Sequence, residues 1–236
     1  MESYFQDAYQ SFYAARDEYE LFEEITSFAS ALGFEYCCYG IRMPLPVSKP
    51  AVRIFDSYPP GWMEHYQTNN FLAIDPTVRA GMRNTNLIVW PDAMYDEAPR
   101  LWSDAWDFGI RFGVAQSSWT AHGAFGLLTM SRHAEPLSPT ELEKLQLPAS
   151  WLSNLCHMRM GQFLESKLLP EVSTTLTARE REVLRWTGEG KTSYEIGKIL
   201  SITERTVNFH VNNVLLKLAA TNKVQAVVKA VATGLI

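Results

Sequence analysis

Asn208 and Asn212 stand one helical turn apart in a stretch that otherwise reads as a helix. An asparagine amide carries a donor and an acceptor together and matches the major-groove edge of adenine. Asparagine is also a poor helix former, so finding Asn208, Asn212 and Asn213 on one helix calls for a reason. Val207, Val211, Val214, Leu215 and Leu218 fall at helical spacing as one apolar stripe, which leaves Arg205, Asn208, Asn212, Asn213 and Lys217 on the opposite face. Such a face suits the reading of base edges; the plainer alternative is a solvated polar helix surface. Lys191, Thr192, Arg205, His210, Lys217 and Lys223 are candidates for phosphate contacts, which hold register without reading sequence, and Thr203 and Thr206 at the helix start join the DNA-facing set.

Catalytic chemistry finds no comparable support. His65, His122, His133, His157 and His210 show no metal-ligand spacing, and no Gly-x-Ser-x-Gly elbow occurs. Asp75 could in principle act as a base, but the DNA-reading helix weighs against an enzyme. The chain therefore reads as no enzyme, with no metal and no cofactor. Cys37, Cys38 and Cys156 make a poor disulfide framework and read as small buried thiols in a reducing cytoplasm.

The elements that must position the asparagines follow from helix-start signals. Thr177-Ala178-Arg179-Glu180 and Thr192-Ser193-Tyr194-Glu195 are both capping boxes. The first opens a helix that buries Val183 and Leu184 and ends at Gly188 and Gly190; the second opens a short helix that buries Ile196, Ile199 and Leu200. After a break at Ser201-Ile202, either Ser201 or Thr203 caps the helix that carries the asparagines. A last helix, Asn222 to Thr233, offers Val224, Val227, Val228 and Val231 to a dimer contact or to its own core.

Upstream, residues 3–33 read as two helices ending at Gly33, and Tyr36 to Met43 and Ala51 to Phe55 as strands. Pro59-Pro60-Gly61 launches a helix over Trp62 to Asn69, and Asp75-Pro76 pairs an N-cap with proline at the first helical position. A strand over Leu87 to Trp90, a helix over Pro99 to Gly109, and a hairpin of Gly113 to Thr120 with Ala124 to Arg132 follow. Ser138-Pro139-Thr140-Glu141 opens a long helix to about Leu164. The pattern predicts an α+β chain: an N-terminal α/β/α sandwich with a mostly antiparallel sheet over residues 1–166, a linker over 167–175, and a C-terminal all-α four-helix helix-turn-helix domain over 176–236.

Charge agrees with that division. Of 236 residues 47% are hydrophobic and 20% charged, ordinary for globular domains, and the net charge is −5. Residues 171–236 hold nine lysines and arginines against six acidic residues, net +3, so residues 1–170 hold 12 against 20, net −8. A basic module behind an acidic body fits a regulator whose small domain meets phosphates. No apolar run approaches the roughly 20 residues of a membrane span, and the acidic Met1-Glu2-Ser3-Tyr4 start lacks a signal-peptide layout. A cytoplasmic location with no membrane partner is expected.

Leu176-Thr177-Ala178-Arg179-Glu180, Gly190-Lys191-Thr192, Glu195-Ile196 and Thr206-Val207-Asn208-Phe209-His210-Val211 closely resemble the LuxR/NarL-type DNA-binding domain. The resemblance places Asn208, Phe209 and Asn212 where that family's recognition helix faces bases, although Phe209 reads equally well as a packed aromatic. Residues 1–60 lack the acidic layout of a phosphate-accepting receiver domain. Instead Tyr58-Pro59, Trp62, Tyr66, Asp75-Pro76-Thr77, Trp90-Pro91, Gly113 and Gly126-Leu127-Leu128-Thr129 resemble, in order, the autoinducer-binding domain of LuxR-type quorum-sensing receptors. Phe34 to Gly40, Pro44 to Pro50 and Thr221 to Ala226 resemble the CepR/SolR branch, whose members respond to octanoyl-homoserine lactone.

That resemblance implies a transcription regulator that binds an N-acyl-homoserine lactone and, as a homodimer working with RNA polymerase, an inverted-repeat site on double-stranded DNA. The chemistry suits the ligand independently. Asp75 can accept its amide N–H, the Trp62 indole can donate to the lactone carbonyl, and the Tyr58 and Thr129 hydroxyls can donate to the acyl carbonyl. Tyr66, Thr77, Trp90 and Trp102 would surround the head group, and Cys38, Gly40, Ile54, Leu72 and Leu128 the tail. Without ligand, a carboxylate and several donors would be left unpartnered, so ligand is expected to help the N-terminal core fold. The alternative is an orphan regulator acting without ligand, or a repressor.

Overall fold

A computed structural model of the chain describes residues 2–90, 92–168 and 174–236; Pro91 of the Trp90-Pro91 pair and residues 169–173 of the expected linker lie outside the described residues. The chain divides into two compact units, the first comprising Met1–Arg42, Val52–Thr120 and Ala124–Leu164, the second Met43–Ala51, Ala121–Gly123 and Glu165–Ile236.

The first unit begins with helices α1 (Glu2–Ala14) and α2 (Glu18–Ala31) and ends with the long α6 (Pro139–Leu168), which reaches into the second unit. Between them lie strands β1 (Tyr36–Arg42), β2 (Val52–Asp56), β3 (Ile88–Trp90), β4 (Phe112–Trp119) and β5 (Phe125–Arg132). They form one sheet in the order β2-β1-β5-β4-β3, every neighbouring pair antiparallel. Helices α3 (Trp62–Thr68), α4 (Pro76–Gly81) and α5 (Pro99–Asp107) fall between β2 and β4 in the chain. The expected α/β/α sandwich is the observed one. Two short 3-10 helices, Phe71–Ala73 and Asp92–Glu97, add to the expected elements.

Side chains alternate along a strand, so the register sorts them between two faces. One face holds Cys37, Tyr39 and Ile41 of β1 opposite Met130, Leu128 and Gly126 of β5. The other holds Cys38 and Gly40 opposite Thr129 and Leu127. On the first face Phe22 of α2 meets Phe55 with ring centroids 5.8 Å apart. His157 of α6 locks onto the sheet there through two bonds. The Ala124 carbonyl can only accept, so His157 Nε2 donates to it at 3.1 Å, and Nδ1 accepts the Tyr39 hydroxyl at 2.7 Å. Gly126 makes that docking possible, because a Cβ there would sit 2.7 Å from Cε1 and 2.8 Å from Cγ of the imidazole.

The second unit is built on α7 (Ala178–Gly188), α8 (Ser193–Leu200), α9 (Glu204–Lys217) and α10 (Lys223–Ala232). Both capping boxes form, Thr177 with Glu180 and Thr192 with Glu195. Thr203, rather than Ser201, caps α9; Ser201 closes α8 in the left-handed region at φ 54°. Val183, Ile196, Val207 and Val211 make one core cluster, and Leu176, Leu184, Val214, Leu218, Ala226 and Ala230 a second. Ile199, expected to be buried, is exposed: the buried stripe of this short helix runs through Ser193, Ile196 and Gly197 toward Leu200, and Ile199 turns off it.

Gly126→Ala is expected to destabilise the first unit by about 1–3 kcal/mol by overpacking against His157. Urea unfolding reads this directly, and an unchanged midpoint would show that the imidazole moves aside at no penalty.

Candidate functional site

The sheet face opposite His157 gathers most of the expected small-molecule residues. The β1–β5 register sets Cys38 against Thr129, and β1–β2 sets Gly40 against Ile54. Thr129 Oγ1 donates to the Cys38 carbonyl at 3.1 Å. Its single hydrogen is thereby engaged, so Tyr58 is the donor in the 3.4 Å contact between the two hydroxyls. Asp75 caps α4 with Oδ1, which accepts the Thr77 N–H at 2.8 Å, while Oδ2 accepts the Tyr66 hydroxyl at 2.8 Å. The N-cap role and a ligand role are thus compatible, because each oxygen keeps a lone pair for a further donor.

This arrangement corrects one expectation. Asp75 is not left unpartnered, since the protein itself supplies a donor to both oxygens. Among the described residues of the first unit, the buried side-chain atoms without a hydrogen bond are Trp90 Nε1 and Ser131 Oγ.

Aromatic rings wall the polar set. Trp62 lies 5.9 Å from Tyr66 and 5.4 Å from Phe108, and Phe71 stands 5.9 Å from Tyr66. Trp90 stacks on Trp102 at 5.3 Å and 29°, and Trp102 is fixed by donating Nε1–H to the Met94 carbonyl at 2.9 Å. Gly113 lets the Trp90 indole lie against the strand: a Cβ there would meet Trp90 Cζ2 at 2.5 Å and the Met130 carbonyl oxygen at 2.6 Å.

Two expected tail positions are not brought here. Leu128 pairs with Tyr39 on the opposite sheet face, and Leu72 is 40% exposed. Their neighbours take the places instead: Leu127 joins the buried cluster of Trp62, Tyr66, Trp90 and Trp102, and Phe71, 1% exposed, fills the floor between Trp62 and Tyr66. Strict alternation back from Thr129 would have selected Leu127; no local signal distinguishes Phe71 from Leu72.

Burial raises the pKa values on this face, making its groups weaker acids. It pushes the Cys38 thiol up to about 12, with the Asp56 carboxylate adding to the effect. Burial likewise drives the Tyr66 and Tyr58 hydroxyls far above the usual phenol range, with the Asp75 charge adding at Tyr66. All three groups are neutral hydrogen-bonding partners at physiological pH.

In the second unit α9 presents Arg205, Asn208, Phe209 and Asn212 outward. Phe209 is 60% exposed, so it is no core residue, and it meets His210 edge-on at 5.6 Å. Thr203 and Thr206 are engaged in the helix start: the Thr206 N–H donates to Thr203 Oγ1 at 3.1 Å and their hydroxyls lie 2.8 Å apart. Thr192 is similarly engaged with Glu195, while Lys191 is exposed beside it.

Two lysines expected to meet phosphates have partners within the protein. Lys217 Nζ donates to Glu180 Oε2 at 2.7 Å, tying the end of α9 to the start of α7. Burial pushes the Glu180 carboxyl up, but donors from Lys217 and Thr177 outweigh it and hold the group below the usual carboxylate range. Lys223 Nζ donates to Ser193 Oγ at 3.1 Å. Sequence pattern gave no hint of either pairing, because the partners lie 37 and 30 positions away.

Among the described residues no group of His, Cys, Asp and Glu is placed to hold a metal ion, and no helix is long and apolar enough to cross a membrane.

Residues 17–160 match the family described as autoinducer binding domain, and residues 174–230 the bacterial regulatory proteins of the luxR family. The transcriptional activator protein SolR of Ralstonia nicotianae is 69% identical over 98% of both chains. The crystal structure of Escherichia coli SdiA superposes with a TM-score of 0.86 at 36% identity, covering 99% of this chain and 98% of that one. SdiA in complex with octanoyl-rac-glycerol superposes with a TM-score of 0.83 at 35% identity, covering 98% and 94%.

Two outcomes follow from these environments. Lys217→Met strands a buried carboxylate and is expected to destabilise the second unit by about 1–3 kcal/mol, read as a lower urea midpoint at pH 7; the difference shrinks as the pH falls below the usual carboxylate range and the carboxyl protonates. For Cys38 the raised pKa means stability that is complete below about pH 8.5 and erodes as unfolded thiols ionise above it. At pH 8 iodoacetamide is expected to label Cys38, half-buried and neutral, at least about tenfold more slowly in the native chain than in urea; equal labelling would contradict the neutral thiol.

Proposed function

Because the chain belongs to the LuxR family of quorum-sensing transcription regulators, we propose that it is a cytoplasmic receptor for an N-acyl-homoserine lactone, with octanoyl-homoserine lactone as the preferred ligand. As a homodimer it binds an inverted-repeat promoter site and activates transcription through RNA polymerase. Residues 1–166 form the receptor domain and 176–236 the DNA-binding domain.

The observation that carries the ligand reading is the convergence of two hydroxyl–acceptor pairs, Tyr66 with Asp75 and Tyr58 with Thr129, on one aromatic-walled sheet face. A ligand amide N–H finds the second lone pair of an Asp75 oxygen, and the Trp62 indole supplies a donor for a lactone carbonyl. Rotating the Tyr58 hydroxyl away from Thr129 turns it toward an acyl carbonyl. Beyond these groups Gly40, Ile54 and Leu127 offer a surface for the alkyl tail, where each buried methylene contributes about 0.8 kcal/mol. The octanoyl choice is supported by the eight-carbon acyl group in the SdiA complex, and the likeness to the transcriptional activator SolR supports activation rather than repression.

A second reading has an observation in its favour. The Tyr66–Asp75 and Tyr58–Thr129 bonds complete much of the polar set within the protein, as an orphan regulator that folds without ligand would require.

Thermal unfolding separates the two. At a hundredfold excess over Kd, octanoyl-homoserine lactone is expected to raise Tm by about 5–10 °C, from roughly 2.7 kcal/mol of linkage. Asp75→Asn and Trp62→Phe should each weaken binding about 10- to 100-fold. No shift in the unsubstituted chain, with reporter activity unaffected by either substitution, would favour the orphan.

A further inference from the structure

Ser193 opens α8, and only 8% of it is exposed. Two groups from other helices meet its hydroxyl: Lys223 of α10, with Nζ 3.1 Å from Oγ, and Asn208 of α9, with Oδ1 2.7 Å from Oγ. The donor inventory fixes the direction of this chain. An ammonium has no acceptor, so Ser193 Oγ accepts from Lys223, and the single hydroxyl hydrogen goes to Asn208. The atom of Asn208 facing Ser193 is the carbonyl oxygen, which takes that hydrogen. Asn208 as a whole is exposed, whereas Ser193 is buried, so the end of the amide turned outward is Nδ2 with its two N–H donors.

We propose that Lys223 and Ser193 are positioning residues that hold Asn208 as a hydrogen-bond donor to a purine at one base pair of each half-site, through N7 of either purine or O6 of guanine. The proposal rests on the DNA-binding reading above and narrows it. An unconstrained asparagine would present donor and acceptor together to adenine; here the acceptor end is engaged inside the protein. Lys223 changes role as well. A phosphate contact would contribute evenly across DNA sequences, whereas a relay contributes at one position only.

The test uses the full-length protein with octanoyl-homoserine lactone and a pool of duplexes randomised around an inverted repeat. Bound duplexes are sequenced, and the enriched site is then titrated with and without a 7-deazapurine at each purine. The unsubstituted protein is expected to show one base pair per half-site whose preference falls about 5- to 10-fold in both Ser193→Ala and Lys223→Met, with other positions unchanged. Loss of N7 or O6 at that pair should weaken the unsubstituted protein by a similar factor and leave Asn208→Ala unaffected. Adding Ser193→Ala to Asn208→Ala should change nothing further, and equal melting temperatures confirm that the variants are folded. Even weakening at every position in Lys223→Met, or a preference that survives Ser193→Ala, overturns the relay alone. If the unsubstituted protein enriches no motif, the DNA-binding reading falls and the relay with it.

Discussion

The pairing register of β1 with β5 is the constraint on which the candidate ligand site depends. One antiparallel offset sets Cys38 against Thr129 and Gly40 against Leu127, and thereby decides which half of the side chains faces the aromatic wall. A slip of β1 by one residue would exchange Cys38 and Gly40 for Cys37 and Tyr39. Several contacts guard against that slip. The Thr129 hydroxyl bonds the Cys38 carbonyl across the strands, and on the reverse face Tyr39 and the Ala124 carbonyl seize His157. Core packing on one side thus enforces binding-site geometry on the other.

The same economy recurs where helix starts and site residues coincide. Asp75 caps α4 and accepts from Tyr66; Thr203 caps the helix that carries Asn208; Glu180 completes a capping box and anchors Lys217. A residue placed to satisfy orphan backbone N–H groups has its rotamer fixed for that reason. Such a residue is already rigid when a ligand or base must be met, so function at these positions requires little additional ordering.

How much of this was legible in the sequence varies by scale. The capping boxes, the Gly33 and Gly188 helix ends and the strand alternation are local signals, and the elements fall within one or two residues of their expected positions, except that α6 runs four residues past Leu164 to Leu168. The site members Tyr58, Trp62, Tyr66, Asp75 and Thr129 were legible through family resemblance, and their convergence required the fold. Misplacements occurred where neighbouring apolar residues differ only in parity or phase: Leu128 against Leu127, Leu72 against Phe71, Ile199 against Leu200. The partners of Lys217 and Lys223 were hidden for a different reason. An exposed basic side chain looks alike in sequence whether it meets solvent, phosphate or a distant acidic or hydroxyl partner, and only the folded chain brings Glu180 and Ser193 within reach.

The stacked Trp90 and Trp102 carry a consequence of an optical kind. Two indoles 5.3 Å apart at 29° have transition dipoles close enough to mix, so their near-ultraviolet and far-ultraviolet absorption is that of a coupled pair rather than of two separate chromophores. Both rings line the same sheet face, one held by Gly113 and the other by the Met94 carbonyl. The face therefore carries a built-in circular-dichroism couplet whose sign and strength report its assembly without any introduced label.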